Sequence, residues 1–481
     1  MSAMPLRLAS DEVFARVRQS FVAAGYDGPA IDRQLHGDPK LMSAFVHGNI
    51  VTGFDAAQTL IRVFSGGSVR ASELRILLGA GIVQDLCALD LLEDSGADLL
   101  RPTVRLRPML GLYIAADLHT RYEEHNADFV FPPDGSHTHE YISHLPGRFA
   151  GSFLEACGGS GVAALIAASH GATHASSFDI SPRCTHFAAF SARLSGIGNF
   201  TAATGDGFAP AAGQTYDCIA MHPPYTPVSH SEFVFSDGGQ DGEQITRMHI
   251  AGLPAHLNPG GRLYARGMAT DRKGEPLEAR LRKWLGEHAG EFDIVLHSMR
   301  YIAPVHVFRN RQCSPGSAPP TREEIVQWLD MIDALRIERF LVCAFIIQRH
   351  DAPRQPFTVR RQRNEFTSPL DLTRMLDWHT LMATGKAADI VLRSRLHNSG
   401  AVLTVRNRIE DGEWATESQS LGVARPYPID SEVGDLAAYI VPRLDGRTGL
   451  EIAQELGIGD TTSFGAHLAE LAGLGFLRVE Q

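Results

Sequence analysis

Apolar residues near the N-terminus recur at the spacing of an α-helix. Val13, Val17 and Phe21 lie four positions apart and follow Asp11, an acidic residue of the kind that begins helices. This pattern predicts a helix from about residue 11 to residue 35. Helical periods continue over residues 44–90.

Two short amphipathic segments within this region, residues 69–78 and 82–89, are separated by Gly79 and Gly81. A strand-like segment over residues 104–108 follows them. Two helices and a strand in this order predict a winged-helix-like module within an N-terminal domain of residues 1–104. The same pattern also fits a helical cap over the next domain, so nucleic-acid binding is only one of its interpretations.

From about residue 148, apolar strand-like runs alternate with helical segments and Gly-rich turns. One strand is predicted to end at residues 153–154, and others to cover residues 175–180, 216–221, 262–269, 292–298 and 340–348. Helices are predicted at residues 162–168 and 185–194 and after Pro320, with a loop over residues 309–320. This alternation predicts an α/β domain of residues 105–350, in which helices cover both faces of a parallel sheet.

The alternation stops after residue 350, where Arg360, Arg361 and Arg363 mark a boundary. These arginines fit either a phosphate contact or, as we expect, the solvated face of a linker. A strand-like run at residues 402–406 follows, with a polar turn at residues 411–412. Helical segments around residues 435–442, 449–456 and 463–473 and a closing strand at residues 476–479 complete the chain. Residues 351–481 are therefore predicted to form an α+β, winged-helix-like accessory domain.

The composition narrows the class of protein. The chain has 481 residues, of which 44% are hydrophobic, and its net charge is −11. Such a charge disfavours a general polyanion binder, so we expect no nucleic-acid partner. Six single cysteines without a CxxC pair indicate a reducing, cytoplasmic compartment. No apolar run approaches the roughly 20 residues that cross a bilayer, so neither a signal peptide nor a membrane partner is expected.

Acidic residues follow three successive predicted strands. Glu155 precedes a glycine turn that opens a helix, an arrangement that lets a ligand approach the backbone closely. Asp179 ends the next strand, where a carboxylate can accept hydrogen bonds from a ribose diol. Asp206 follows the third strand and is placed to meet an adenine amine. The carboxyl ends of parallel strands share one edge of a sheet, so these acids are expected to surround one nucleoside-bearing ligand.

This pattern resembles class I S-adenosylmethionine-dependent methyltransferases. The resemblance implies a Rossmann-like class I methyltransferase sheet, flanked by the helical N-terminal and α+β C-terminal domains, with S-adenosyl-L-methionine as cofactor. A nicotinamide enzyme is the alternative, but the third glycine of GxGxxG is absent. Glu155 stands where Asp is commoner, and Cys157 where the first glycine is usual. The cofactor-binding residues implied by the resemblance are Glu155, Ala156, Cys157, Gly158, Gly159, Gly161, Asp179, Ile180, Asp206, Gly207 and His222.

The segment after the fourth strand, His222-Pro223-Pro224-Tyr225, looks like the Asn/Asp-Pro-Pro-Tyr motif of methyltransferases that modify planar or amide nitrogens. Together with residues 237–242 and 257–263, it is similar to the release-factor glutamine N-methyltransferase (HemK-like) family over about residues 110–310. The resemblance implies catalytic roles for His222, Pro223 and Tyr225. Substrate contacts are implied for Pro224 and Tyr225. Phe131 joins them, in a segment expected to help close the pocket.

His222 replaces the usual Asn or Asp of this motif and leaves the acceptor open. A neutral imidazole can accept one hydrogen bond, and it can also act as a general base. We expect N-methylation of an amide or amine on a small metabolite or a protein side chain. The alternatives are O-methylation of a small biosynthetic substrate with His222 as base, RNA methylation, and a nucleic-acid-binding regulator. The oligomeric state is not fixed by the sequence, and a homodimer is one candidate.

The segment His137-Thr-His139-Glu140 invites a metal interpretation, with His144 as a further ligand. His139 and His144 are five positions apart, which places their rings on different faces of a helix, unlike the two histidines of HExxH. We therefore expect no metal. Cys157 is likewise expected to be a packed residue rather than a nucleophile, because nothing near it in sequence would activate it.

Overall fold

The computed structural model describes residues 4–29, 50–51, 53–118, 128–227, 234–307 and 321–480. The chain divides into two compact units, Met1–Gly267 and Met268–Gln481. The loop predicted at residues 309–320 lies outside the described residues. None of the helices within the described ranges is long and apolar enough to cross a lipid bilayer.

The first unit opens with helix α1 (Asp11–Ala23), which buries Phe14, Val17 and Phe21 along one face. The predicted end near residue 35 is wrong, because the helix stops at Ala23. Gly25 adopts a φ of +68° and reverses the chain, so that Tyr26 packs into the core instead of continuing the helix. The hydroxyl of Tyr26 donates to the carbonyl of Leu106 there.

The region that follows mixes helices with short strands. Its elements are β1 (Ile50–Val51), α2 (Ala56–Val63), β2 (Ser68–Arg70), α3 (Ala71–Leu78), α4 (Ala80–Ala88), β3 (Leu92–Asp94), β4 (Leu99–Pro102), β5 (Arg105–Met109) and β6 (Leu112–Ala116). The first four strands form a sheet in the order β1-β2-β4-β3. The expectation that the strand at residues 104–108 directly follows the second helix is therefore corrected. Helix α4 is followed by the hairpin β3–β4, and the strand predicted at residues 104–108 pairs with β6 instead. Strands of three or four residues are too short to show an alternating pattern. The assignment as a winged-helix-like module stays a prediction.

A parallel sheet forms the rest of the first unit. Its elements are α5 (Ser136–Ser143), β7 (Ser152–Ala156), α6 (Val162–Ser169), β8 (His174–Asp179), α7 (Pro182–Ser195), β9 (Phe200–Thr204), β10 (Tyr216–Met221), α8 (Gln244–His256) and β11 (Leu257–Arg272). The predicted strands and helices of this region are confirmed. The strands lie in the order β9-β8-β7-β10-β11, and each neighbouring pair is parallel.

This strand order places a crevice between β7 and β10. From β7 the chain builds the sheet in one direction through β8 and β9, and then in the other direction through β10 and β11. Ligands of open α/β sheets bind at such a switch point, outside the carboxyl ends of the strands. Met221 pairs with Ala156, so Cys157 and His222 are the next residues of two neighbouring strands. The architecture is consistent with the Rossmann-like sheet expected from the sequence.

The second unit contains the remaining strands and helices. These are α9 (Leu277–Trp284), β12 (Phe292–Ile302), α10 (Arg322–Ala334), β13 (Ile337–Arg349), β14 (Thr358–Gln362), α11 (Asp371–Ala383), α12 (Lys386–Arg393), β15 (Arg395–Asn398), β16 (Val402–Glu410), β17 (Glu413–Val423), β18 (Ile429–Glu432), α13 (Asp435–Ile440), β19 (Asp445–Thr448), α14 (Gly449–Glu455), α15 (Thr461–Gly473) and β20 (Leu477–Val479). Strand β12 lies antiparallel to β13 and parallel to β14.

Two expectations for this unit are corrected. Helices α11 and α12 stand in a region where no helix was predicted. Arg360 does not belong to a solvated linker, because it lies on β14 and its guanidinium bonds Asp271 at 2.8 Å and Glu278 at 2.9 Å. The predicted helical segments of the C-terminal region correspond to α13, α14 and α15.

Candidate functional site

The turn between β7 and α6 is closely packed on one side and open on the other. Cys157, Gly159 and Gly161 all have positive φ. A Cβ at Gly161 would lie 2.7 Å from the Cβ of Ala188, so the helix α7 tolerates only glycine there. A Cβ at Gly159 would meet no atom within 4 Å. The backbone at Gly159 therefore borders open space.

Glu155 lies beneath this turn rather than on its open side. Its side chain is buried, and Oε2 accepts a hydrogen bond of 2.9 Å from the backbone N–H of Ala164 in α6. The hydroxyl of Tyr141 lies 3.5 Å from Oε1. Burial raises the pKa of Glu155 to about 8, against the lowering effect of the Ala164 N–H. Glu155 thus holds the helix N-terminus in place behind the turn.

Asp179 is tied directly to the glycine turn. Its Oδ2 accepts from the backbone N–H of Gly159 at 2.8 Å, and its Oδ1 accepts from that of Ser181 at 2.9 Å. Burial raises the pKa of Asp179, while these backbone hydrogen bonds lower it. Each carboxylate oxygen can accept a second hydrogen bond, so Asp179 keeps acceptor capacity for the hydroxyls of a ribose diol. Ile180 beside it is 55% exposed and offers an apolar surface to a ligand ring.

Asp206 and Gly207 follow β9 at the same edge of the sheet. The side chain of Asp206 is exposed, which leaves its carboxylate open to a ligand. Gly207 has a φ of +53°, and a Cβ there would lie 2.8 Å from Cε of Met248. The structure thus brings the three predicted acids to neighbouring strand ends of one sheet.

The His222-Pro223-Pro224-Tyr225 segment leaves β10 beside the glycine turn. The ring of His222 lies 5.8 Å from that of Tyr225 and 5.3 Å from that of Tyr141, centroid to centroid. Because Tyr141 also contacts Glu155, it connects the floor of the turn with the predicted catalytic motif. Pro223 is buried and Pro224 is partly exposed.

Arg266 of β11 organises the predicted catalytic motif. Its Nη1 lies 3.2 Å from Nε2 of His222 and 3.1 Å from the hydroxyl of Tyr225. Its Nη2 lies 2.8 Å from Nδ1 of His137 and 2.7 Å from Oε2 of Glu140. The arginine itself is only 2% exposed. One buried guanidinium therefore joins the motif to helix α5.

The same environment keeps His222 uncharged. Burial first, and then the nearby Arg266 guanidinium, lowers the pKa of His222 to about 3. The imidazole is therefore neutral at physiological pH and a weak base.

Cys157 lies close to a histidine that is distant from it along the chain. Its Sγ lies 4.0 Å from Nε2 of His249, whose Nδ1 contacts the carbonyl of Ile245 at 2.9 Å. Burial and the surrounding carboxylates raise the pKa of the Cys157 thiol, so it stays protonated. The thiol is thus poorly suited to act as a nucleophile.

Phe131 lies in an aromatic cluster. Its ring centroid is 5.7 Å from that of Phe235 and 6.4 Å from that of Phe129. Asp134 in the same segment forms an ion pair with Arg105. Phe131 is 43% exposed, so its contact with a substrate stays a prediction.

Sequence reasoning missed Arg266 and Tyr141. The available signal for Arg266 was an arginine inside an otherwise apolar strand, Leu263-Tyr-Ala-Arg266. The histidines considered for a metal have other contacts, since Nδ1 of His139 and of His144 each face a carbonyl of their own helix region. Within the part of the chain that the structure describes, no group of three or more His, Cys, Asp or Glu side chains is placed to hold a metal ion.

Comparison with known proteins gives only distant similarities. No protein-family model matches the chain, and none of the curated proteins matches it. Among solved structures, a ribosomal protein L11 methylase from Lactobacillus delbrueckii subsp. bulgaricus is 18% identical, with a TM-score of 0.24, over 41% of this chain and 70% of that one. An rRNA methylase from Streptococcus thermophilus is 13% identical, with a TM-score of 0.26, over 46% and 99%. The [4+2]-cyclase SpnF is 16% identical, with a TM-score of 0.26, over 43% and 77%. Similarities of this extent carry no argument about the activity of this chain.

Proposed function

We propose that this chain is an S-adenosylmethionine-dependent methyltransferase. The observation that carries the proposal is the meeting of the glycine turn, Asp179, Asp206 and His222 at the switch point of a parallel sheet. This edge combines open backbone at Gly159 with carboxylates suited to a nucleoside. Both features match what the resemblance of the sequence implies.

The residues present fit the cofactor. Asp179 would accept hydrogen bonds from the ribose, and the exposed carboxylate of Asp206 would meet the adenine amine. Ile180 would pack against the adenine ring. Gly159 leaves room for the methionine part, because a side chain there would project into open space. The buried Glu155 would support the turn from behind rather than contact the cofactor.

When bound, the cofactor supplies a methyl group that is electrophilic because it sits on a sulfonium. The protein then needs mainly to hold the acceptor in line and to exclude water. His222 and Tyr225 stand beside the turn and are fixed by the Arg266 guanidinium, so they would orient the acceptor. The acceptor is a small molecule or a protein side chain.

The two roles considered for His222, general base in O-methylation and hydrogen-bond acceptor in N-methylation, differ in their structural support. A pKa of about 3 makes this neutral imidazole a poor general base, so deprotonation of a hydroxyl by His222 loses support. N-methylation needs hydrogen-bond acceptors for the target NH₂. Nε2 of His222 already accepts from Arg266, which leaves the Pro223 carbonyl as the acceptor that the resemblance supplies. Membership of the release-factor subfamily stays a prediction.

Isothermal titration calorimetry tests the proposal. S-adenosylmethionine and S-adenosylhomocysteine should each bind the purified chain at one site. Asp179→Asn should weaken binding by roughly tenfold or more, because a charged hydrogen-bond acceptor is lost. Asp351→Asn, an exposed aspartate outside the site, is the matched control and should leave affinity unchanged. Absence of binding by both ligands to the wild-type chain would refute the proposal.

A further inference from the structure

Arg266 determines which nitrogen of His222 carries the proton. A guanidinium only donates hydrogen bonds and keeps its charge in proteins. Its Nη1, 3.2 Å from Nε2 of His222, therefore requires that Nε2 is the acceptor. The ring is neutral, since burial lowers the pKa of His222 to about 3, so its single proton lies on Nδ1. The side chain that replaces Asn or Asp in this motif thus presents an N–H donor.

The contact with Arg266 also leaves Tyr225 as a hydrogen-bond donor. Its hydroxyl oxygen accepts from Nη1 of Arg266 at 3.1 Å, which leaves the O–H of Tyr225 as a donor. The rings of His222 and Tyr225 are stacked, with centroids 5.8 Å apart. Each of these two neighbouring rings therefore carries one hydrogen-bond donor, the Nδ1–H of His222 and the O–H of Tyr225.

A donor at position 222 has opposite effects on nitrogen and oxygen acceptors. An amine nitrogen has one lone pair, and a hydrogen bond from His222 would occupy the pair that must attack. A carboxylate oxygen can accept a hydrogen bond with one lone pair and attack with another. Resting on the proposed methyltransferase function, we propose that His222, held by Arg266 as a hydrogen-bond donor, selects an acceptor whose reacting atom is a carboxylate oxygen, so that the product is a methyl ester.

Charge and proton balance agree with this acceptor. A carboxylate is already ionised at neutral pH, so no base is needed. The oxygen lone pair forms the new O–C bond, the C–S bond breaks with its electron pair left on sulfur, and no proton moves. Glu140 does not oppose a carboxylate strongly, because Arg266 pairs with it at 2.7 Å. Arg266 is thus a positioning residue that acts through His222 and Tyr225.

Nitrogen-15 NMR of histidine-labelled protein, saturated with S-adenosylhomocysteine, tests the inference without turnover. The His222 signals, assigned by their loss in His222→Gln, should show a proton on Nδ1 and no titration around the ordinary histidine pKa of about 6.5. Excess sodium acetate should shift the Nδ1 signal, whereas methylammonium chloride at the same ionic strength should not. His174→Gln, which removes an exposed histidine at the start of β8, is the control and should leave this response intact.

Variants of Arg266 separate positioning from folding. Arg266→Met should raise the pKa of His222 toward its ordinary value and remove the acetate shift. Arg266→Lys, which keeps a cationic donor, should retain the tautomer. A proton on Nε2 in the wild type, a methylammonium shift equal to that of acetate, or no acetate shift would overturn the inference. Calorimetry on the same sample distinguishes the two claims, since absent S-adenosylhomocysteine binding refutes the proposed function itself.

Discussion

At the scale of single residues, burial changes the charge of Glu155. Its carboxyl group lies under the glycine turn, and burial raises its pKa to about 8. The backbone N–H of Ala164 offsets part of this effect. Because the pKa in the folded protein lies above the ordinary value of 4.5, folding favours the protonated form. The stability contribution is fully present below pH 4.5 and is lost as pH rises toward 8.

Glu155→Gln should therefore change the pH dependence of stability. Glutamine keeps an acceptor for the Ala164 N–H and carries no charge. Between about pH 5 and pH 8, the free energy of unfolding of the wild type should fall relative to that of the variant, by on the order of 4 kcal/mol at most. The melting temperature of the wild type should fall with it. Differential scanning fluorimetry across this range measures the difference. Glu470→Gln, at an exposed position of α15, should show no such trend, and parallel curves for wild type and Glu155→Gln would contradict the assignment.

At the scale of elements, two glycines in the connection from β7 to α6 have different roles, one in packing and one in binding. Gly161 has a φ of +76° and faces Ala188 of α7, whereas Gly159 borders open space. Both positions favour glycine, but only Gly161 is also crowded by another helix.

Gly161→Ala and Gly159→Ala should therefore differ in effect. Gly161→Ala should destabilise the protein by about 2–3 kcal/mol, because strain adds to overpacking. Gly159→Ala should cost about 1 kcal/mol but weaken S-adenosylhomocysteine binding by roughly tenfold, because the new methyl group projects into the space where the ligand fits. Urea unfolding and calorimetry on both variants measure these effects. Equal losses of stability with equal affinities would contradict this division of roles.

The buried pair Arg183–Asp117 joins α7 to the end of β6. Both side chains are at most 3% exposed, Nε of Arg183 lies 3.2 Å from Oδ2 of Asp117, and that oxygen also accepts from the backbone N–H of Val130. Arg183→Met should cost about 3–5 kcal/mol in the free energy of unfolding, because it leaves a buried charge without its partner.

An exposed ion pair in the same unit is the control for that variant. Arg7 pairs with Asp90 but is 73% exposed, so Arg7→Met should cost less than about 1 kcal/mol. Urea denaturation measures both values. A loss of similar size for the two variants would mean that burial does not determine the cost.

The elements that sequence reasoning recovered are those with strong local patterns. The strands β7, β8 and β10 are apolar runs bounded by turn residues, and their order follows from the alternation with helices. The short strands β3 and β4 were missed because three or four residues carry no period. The contact between Arg266 and His222 was missed for another reason: it joins residues 44 positions apart, and a single sequence does not show which residues of separate strands meet.

At the scale of the whole molecule, net charge limits the partners. The chain carries 55 acidic against 44 basic residues, with a sequence pI near 6.0. Duplex DNA or RNA should therefore bind no more tightly than non-specific complexes, with a Kd of about 10⁻⁴ to 10⁻⁶ M at physiological salt. Filter binding over a salt series checks this expectation. Tight, salt-sensitive binding would favour RNA methylation or a nucleic-acid-binding regulator instead.

A crystal structure with S-adenosylhomocysteine tests the central claim most directly. The account predicts the ribose at Asp179, the adenine beside Ile180 and Asp206, and the sulfur facing the cleft between Gly159 and His222. Side chains around the remaining cavity would then show the acceptor pocket. A ligand bound at any other edge of the sheet, or crystals that exclude it from this crevice at saturating concentration, would contradict the account.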